Sequence, residues 1–199
     1  MSRLPDLERK PELVANILEY LLDKPLSSLT FRKLASALGV STFTLVYHFG
    51  SRAEMVRDVV CAISAREIGI HEKLVINPAS VDAYFAGLEQ SWEWTLEPRN
   101  RQLQRLEFEA SMMEALSPNE HTFVRALFAR WQQIGYDALI SFGIGEADAQ
   151  EESRLVVDTF YGIQFDLVIN GDEAKANAAF SRAVSLHRYR IEELLGQSA

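Results

Sequence analysis

Short polar and basic side chains are concentrated between residues 30 and 52. Hydroxyl, imidazole and guanidinium groups occur there at Thr30, Arg32, Ser41, Thr42, Thr44, Tyr47, His48 and Arg52. Groups of these types donate hydrogen bonds to phosphate oxygens and to the edges of bases. The chain carries a net charge of −8, yet no acidic residue lies between Lys24 and Ala53. This acid-free window is therefore a candidate surface for binding nucleic acid.

Two short helices are predicted to position these side chains. The first covers residues 31–38 and the second residues 42–47, with Gly39 between them. Gly39 suits the left-handed backbone conformation that ends a helix, and Ser41 is placed to cap the second one. Apolar side chains of the two helices can pack together as in a helix-turn-helix: Phe31, Leu34, Ala35, Leu38, Val40, Leu45 and Phe49.

The second helix also carries side chains that this packing does not require. Among them Thr42, Phe43 and Thr44 lie at its N-terminal end, where a recognition helix contacts bases and phosphates. Helix N-termini bind phosphate through their free amide groups, and predicted helix starts near Thr30, Ser41 and Ser51 cluster in this window. The sequence therefore predicts a DNA-binding helix-turn-helix.

Apolar residues recur every three or four positions along nearly the whole chain, which predicts an all-α protein of about nine helices without strands. Capping and breaking residues set their limits. The expected domains are a helix-turn-helix DNA-binding domain at residues 1–50 and a ligand-binding and dimerisation domain at residues 51–199. The predicted helices cover residues 11–23, 31–38, 42–47, 51–74, 80–96, 99–116, 117–143, 147–169 and 173–195.

The composition is that of an ordinary globular protein, with 48% hydrophobic and 24% charged residues. No apolar run approaches the roughly 18 residues that cross a bilayer, and the first residues lack a signal-peptide core. We therefore expect a cytoplasmic protein without a membrane partner. The single cysteine, Cys61, cannot form an internal disulfide, and its apolar neighbours predict a packed thiol.

Residues 155–169 are apolar on nearly every side, so this helix must be covered on two faces. The last helix can cover one face, and a twofold partner presenting the same pair would cover the other in a four-helix bundle. The alternative is an internal helix buried within a monomer. The predicted homodimer interface comprises Phe160, Phe165, Phe180, Val184, His187 and Ile191.

The helix over residues 99–116 carries two apolar stripes, which suggests that it packs on both sides. Together with nearby aromatic residues it could line an apolar cavity for a small effector. The alternative is that these side chains simply fill a core. The predicted wall residues are Trp92, Phe108, Met112, Phe128 and Trp131, with Arg105 and Glu109 either paired or binding a polar end of the ligand.

Motifs for catalysis are missing from the sequence. It contains no glycine-rich phosphate loop, no His-Glu-x-x-His and no Gly-x-Ser-x-Gly. The four histidines lie far apart on different predicted helices. We therefore expect no enzyme, no cofactor and no metal site.

The segments Leu29–Gly39 and Leu45–Arg52 closely resemble the TetR family of bacterial transcriptional regulators. The specific match covers about residues 12–60, and beyond it the resemblance is architectural. It implies that Arg32 and the helix over residues 42–47 face DNA. Val46 stands where this family usually has tyrosine. The residues that it places on phosphates are Thr30, Thr44, Tyr47, His48 and Arg52.

This resemblance and the predicted cavity together indicate a ligand-responsive regulator. We expect a repressor that binds a palindromic operator in double-stranded DNA as a homodimer and is released by a small, predominantly apolar effector. The coupling is expected to run through the helix that begins at Ser51. The alternatives are a DNA-binding protein without an effector, and an α-helical enzyme that uses the central cavity.

Overall fold

A computed structural model describes residues 9–75, 78–116 and 123–197 of the chain. Within these residues it contains nine α-helices, a short 3₁₀ helix at Leu26–Ser28 and no strand, which confirms the predicted all-α fold. Except for the start of α7, the helix ends lie within two residues of the predicted limits. The helices are α1 (Arg9–Leu21), α2 (Phe31–Leu38), α3 (Thr42–Phe49), α4 (Arg52–Val75), α5 (Val81–Leu96), α6 (Pro98–Leu116), α7 (Phe123–Ser141), α8 (Glu146–Asn170) and α9 (Glu173–Gln197).

The chain divides into two compact units, which we call the N-terminal unit and the C-terminal unit. As far as the described residues go, the first comprises Met1–Arg66 with Leu106–Val124, and the second Glu67–Arg105 with Arg125–Ala199. The first part of α4 and the second part of α6 therefore belong to the N-terminal unit. The sequence placed the domain boundary earlier, between residues 50 and 51.

In the N-terminal unit, local capping explains where α2 and α3 begin and end. Thr30 accepts a hydrogen bond from the Lys33 amide at the start of α2, and Ser41 accepts one from the Thr44 amide at the start of α3. Gly39 ends α2 with a φ of +64°, a conformation that side chains with a Cβ rarely adopt. These contacts agree with the predicted helix-turn-helix.

Three features of the chain differ from the expectations or lie outside the described residues. Pro25 precedes the 3₁₀ helix, which the helical periodicity did not predict because three residues are too short to show a period. The predicted packing of Cys61 is wrong, since its side chain is exposed. Val60 and Ile63 are buried on the other face of α4. The predicted helix start at Ser117–Glu120 lies outside the described residues.

The core of the C-terminal unit is formed largely where α5 and α8 pack against α9. Trp92 on α5 stacks on Phe180 of α9, with ring centroids 4.7 Å apart, and its indole N–H donates to Asn177. Phe160 of α8 meets Phe180 edge to face. Aromatic pairs in these arrangements add to the stability gained by burial.

Four of the residues predicted for the dimer interface also lie in or beside this core. Phe180, Val184, His187 and Ile191 are all buried within one chain. They form one stripe of α9, so the face they share is already covered in the single protomer. Phe165, in contrast, is exposed on α8.

A buried polar network links α5, α8 and α9 in the C-terminal unit. Nε2 of His187 lies 3.1 Å from the Tyr84 hydroxyl, and its Nδ1 lies 3.3 Å from a carboxylate oxygen of Glu152. Burial lowers the pKa of His187 from 6.5 to about 4 and raises that of Tyr84. The neutral ring then accepts from the Tyr84 hydroxyl and donates to Glu152, so both ring nitrogens are satisfied.

We expect His187 to make the folded protein less stable in mild acid. Below pH 6.5 the unfolded chain binds a proton that the folded chain takes up only near pH 4. Stability should therefore fall by up to about 2 kcal/mol between pH 7 and pH 5. Chemical denaturation at both pH values measures this loss, which should be smaller by that amount in His187→Gln. An equal loss in the variant would contradict the assignment.

Candidate DNA-binding interface

The exposed face of α3 is made of side chains that this unit does not bury. Leu45 and Phe49 point inward and are almost fully buried, whereas Phe43 is 76% exposed and Tyr47 63% exposed. Thr42, in the first turn of α3, is exposed as well. The exposed face of α3 therefore presents the hydroxyl groups of Thr42 and Tyr47, the two aromatic rings and the small apolar side chain of Val46.

Side chains next to α3 supply positive charge and hydrogen-bond donors. Arg32 and Lys33 are exposed on the first turn of α2. His48 is half-buried at the end of α3 and meets the Tyr47 ring edge to face at 5.1 Å. All of these side chains belong to residues 25–53, which include no acidic residue. These basic and polar side chains can bind a polyanion that also contacts the exposed face of α3.

Arg52 has a structural role that the sequence did not reveal. Its Nε donates to the Leu29 carbonyl at 2.7 Å and its Nη2 to the Ser27 carbonyl at 3.1 Å. The guanidinium group therefore connects the start of α4 to the loop that precedes α2. The same loop is held from another side, where the Leu26 amide donates to a carboxylate oxygen of Glu109 on α6 at 2.6 Å.

Two of the hydroxyl groups predicted to bind phosphate, those of Thr30 and Thr44, take part in hydrogen bonds at the starts of α2 and α3. The Thr30 hydroxyl accepts from Lys33, and the Thr44 hydroxyl shares a 2.8 Å hydrogen bond with Ser41. At the start of α4, the Ser51 amide donates to Glu54 and the Glu54 amide donates to Ser51, which is the predicted capping box. These hydrogen bonds lower the pKa of Glu54, which stays ionised.

The C-terminal unit contains a cavity of about 90 Å³ between α5, α6, α7 and α8. None of the described residues lining it is charged. Its polar groups are the side chains of Ser91, Gln104 and Gln164 and two tyrosine hydroxyls, and Gln164 donates to Thr95 at 3.1 Å. The remaining lining is apolar or glycine: Leu88, Trp131, Ile134, Gly135, Val156, Val157 and Phe160, beside the rings of Tyr84 and Tyr161.

Of the predicted wall residues, Trp131 alone is among those that line this cavity. Phe128 lies behind the wall, stacked on Tyr161 with ring centroids 4.0 Å apart. Trp92 packs on Phe180 in the core. Arg105 donates to Gln102 on its own helix.

The other predicted wall residues lie in the N-terminal unit, because α6 passes from one unit to the other at residue 106. Met112 is 62% exposed, Phe108 is half-buried, and Glu109 accepts from Leu26. The stripe of α6 that carries Phe108 and Met112 is therefore not a fully buried face. Arg105 and Glu109, predicted to bind a polar end of the ligand, are not among the residues that line this cavity. Its amide side chains are Gln104 and Gln164, and the position of Gln164 in an otherwise apolar run of the sequence was the signal that could have indicated it.

No described helix is long and apolar enough to cross a membrane. Among the described residues no group of three or more His, Cys, Asp or Glu side chains is arranged to hold a metal ion.

Comparison with known proteins agrees with this geometry. Residues 13–59, which contain α2 and α3, match the family model of bacterial regulatory proteins, tetR family. Among curated proteins, none matches the chain. The chain thus contains a DNA-binding helix-turn-helix joined to a larger helical unit.

Solved structures of similar fold extend over almost the whole chain. A transcriptional regulator from Rhodococcus sp. Rha1 superposes with a TM-score of 0.74 at 20% identity, covering 95% of this chain and 97% of the other. A TetR transcriptional regulator from Legionella pneumophila gives 0.67 at 14% identity, with 96% and 98% covered. GusR from Salmonella enterica gives 0.69 at 16% identity, with 96% and 97% covered. Residues 13–59 thus match the DNA-binding domain of the tetR family, and the fold of nearly the whole chain is similar to that of solved TetR-family regulators.

We expect replacement of Arg52 to destabilise the N-terminal unit. Arg52→Ala removes two hydrogen bonds to backbone carbonyls and should lower the free energy of unfolding by about 1 kcal/mol. Chemical denaturation measures the change. Arg32→Ala, at an exposed arginine of the same surface, is the matched control and should stay within about 0.5 kcal/mol of the wild type. Equal stability of the two variants would contradict the structural role of Arg52.

Proposed function

We propose that this protein is a repressor that binds a palindromic DNA operator as a homodimer and responds to a small uncharged effector. The observation that carries the proposal is the exposed face of α3, positioned by its buried face and bordered by Arg32 and Lys33. A recognition helix of this kind enters the major groove, with its first turn at the base edges. Because operator DNA is its partner, we place the protein in the cytoplasm.

The proposed phosphate contacts come from the borders of this surface. The Thr30 hydroxyl can donate its proton to a phosphate, and so can one of the Ser41 and Thr44 hydroxyls, because their shared hydrogen bond uses the proton of only one of them. Tyr47 and His48 lie at the far end of α3. Arg52 can add its charge while it holds the loop before α2. These contacts set the register of the protein on the duplex without reading its sequence.

The proposed dimer interface lies on the outer faces of α8 and α9. Large apolar side chains are exposed there in each chain: Leu155, Phe165, Ile169, Leu186 and Tyr189. Gly162 lies between Leu155 and Phe165 on α8, and a Cβ added to it would meet no atom within 4 Å. A second copy would cover this apolar face and present two recognition helices to one duplex.

The proposed effector site is the cavity of the C-terminal unit. Its volume of about 90 Å³ is below the roughly 150 Å³ of an engineered cavity that holds benzene, and we propose that an effector of that size or larger expands it. A ligand that binds the expanded state shifts the population toward it. If that state binds operator less well, the effector releases the DNA by linkage. The amides of Gln104 and Gln164 suit a neutral polar group on an otherwise apolar molecule.

We expect the full chain to protect a palindromic site with half-site centres about 34–36 Å apart, or a multiple of that. Phe165→Glu places two carboxylates in the proposed dimer interface and should weaken self-association at least about a hundredfold, because buried charges are costly. Operator affinity should fall with it. Footprinting and sedimentation measure the two effects.

Met112→Glu is the control for this variant, because it adds the same charge at an exposed apolar residue on α6. It should leave self-association and the footprint unchanged. Protection of a single asymmetric half-site by the wild type, or an unchanged dimer in Phe165→Glu, would contradict the dimeric arrangement.

We expect Val157→Phe to abolish the response to an effector while operator binding persists. The larger side chain fills the cavity, and the recognition helix belongs to the other unit. A screen of neutral, predominantly apolar compounds against the wild type, read as loss of operator affinity, identifies a test compound. The variant should then bind operator equally with and without it.

If no compound changes operator affinity, the protein is a DNA-binding protein without an effector, which is the second candidate function. That outcome leaves the DNA-binding proposal intact. The small cavity volume is the observation that favours this candidate.

A further inference from the structure

The apolar character of the exposed face of α3 is not explained by phosphate binding. Phe43, Val46 and Tyr47 are exposed there by 76%, 45% and 63%. The rings of Phe43 and Tyr47 are nearly parallel, with centroids 6.5 Å apart and planes at 25°. A contiguous apolar surface that stays exposed indicates a partner with apolar groups of its own.

Side chains that recognise guanine or adenine through paired hydrogen bonds do not occur on α3. Arg and Lys make such pairs with guanine, and Asn and Gln make them with adenine. Residues 42–49 read Thr-Phe-Thr-Leu-Val-Tyr-His-Phe and include none of these four types. The Thr44 hydroxyl is already bonded to Ser41. Readout by the first two turns of α3 is therefore mainly apolar.

We infer that Phe43 and Val46 recognise thymine methyl groups in the major groove of the operator half-site. This inference rests on the proposed function. The C5-methyl of thymine is the apolar group that base pairs display in that groove. Phe43 lies in the first turn of α3, where a recognition helix contacts bases, and Val46 follows it by three residues on the same face.

Charge favours duplex DNA over a protein as the occupant of this face. Arg32 and Lys33 are exposed beside it, and no acidic residue occurs from residue 25 to residue 53. In a protein whose net charge is −8, this concentration of positive charge suits a polyanion. The phosphates would bind the basic border while the methyl groups meet Phe43 and Val46.

The test begins with selection of bound sequences by the full chain from a random duplex library that contains thymine. Each thymine of the selected half-site is then replaced by uracil, which removes the methyl group and nothing else. We expect one or more positions to lose about fourfold in affinity, the effect of one buried methyl-sized group. At such a position, a 5-methylcytosine·guanine pair should also bind more tightly than a cytosine·guanine pair.

Variants of Phe43 and Val46 show which side chain contacts each methyl group. In Phe43→Ala the loss on uracil substitution should shrink to less than about 1.5-fold at one position, while Phe43→Leu should keep most of it. Val46→Ala should act in the same way at a neighbouring position. Phe43 and Val46 are exposed, so their replacement leaves the core of the unit intact. Met112→Ala, at an exposed apolar residue outside α3, should keep the wild-type losses at every position.

The outcomes separate this inference from the proposed function. Equal affinity of the wild type for thymine and uracil duplexes would overturn the inference while DNA binding stands. The inference would also be overturned if Phe43→Ala and Val46→Ala both lose as much affinity on uracil substitution as the wild type does. Other side chains would then recognise the methyl groups. Failure to select any sequence would overturn both the inference and the proposed function.

Discussion

The helices α2 and α3 have eight residues each and are too short to be stable alone. The structure of the N-terminal unit therefore depends on the packing of these helices against their neighbours. The backbone hydrogen bonds of helices this short do not stabilise them sufficiently. Burial of Leu34 on α2 and of Leu45 and Phe49 on α3 provides the remaining stabilisation. That burial uses only one face of α3. The opposite face is left free by the same packing, so the surface that contacts a partner is a direct consequence of the way in which the helix is stabilised.

Backbone groups in the segment before α2 are bound by long side chains from α4 and α6. Arg52 binds the carbonyls of Ser27 and Leu29, and Glu109 binds the amide of Leu26. Three hydrogen bonds thus hold residues 26–29 directly before α2. Because α2 packs on α3, they fix the start of the helix against which the exposed helix is positioned.

Two hydrogen bonds between buried polar side chains connect α5 to α8 and α9 in the C-terminal unit. His187 bonds to Tyr84, and Gln164 bonds to Thr95. These pairs allow polar side chains to lie inside an apolar core at little cost. The cavity lined by Tyr84 and Gln164 has no charged residue among the described ones that line it, and this supports our proposal of an uncharged effector.

The sequence by itself determined the helices and the helix-turn-helix, because caps, glycines and apolar periods act over a few residues. Thr30, Gly39, Ser41 and Ser51 act in the structure as their positions predicted. Only the tertiary structure decided which faces meet. Met112 on α6 and His187 on α9 each continue an apolar stripe of their helix with equal regularity. Yet Met112 is exposed and His187 is buried. Burial depends on what another helix places opposite, and no local pattern contains that information.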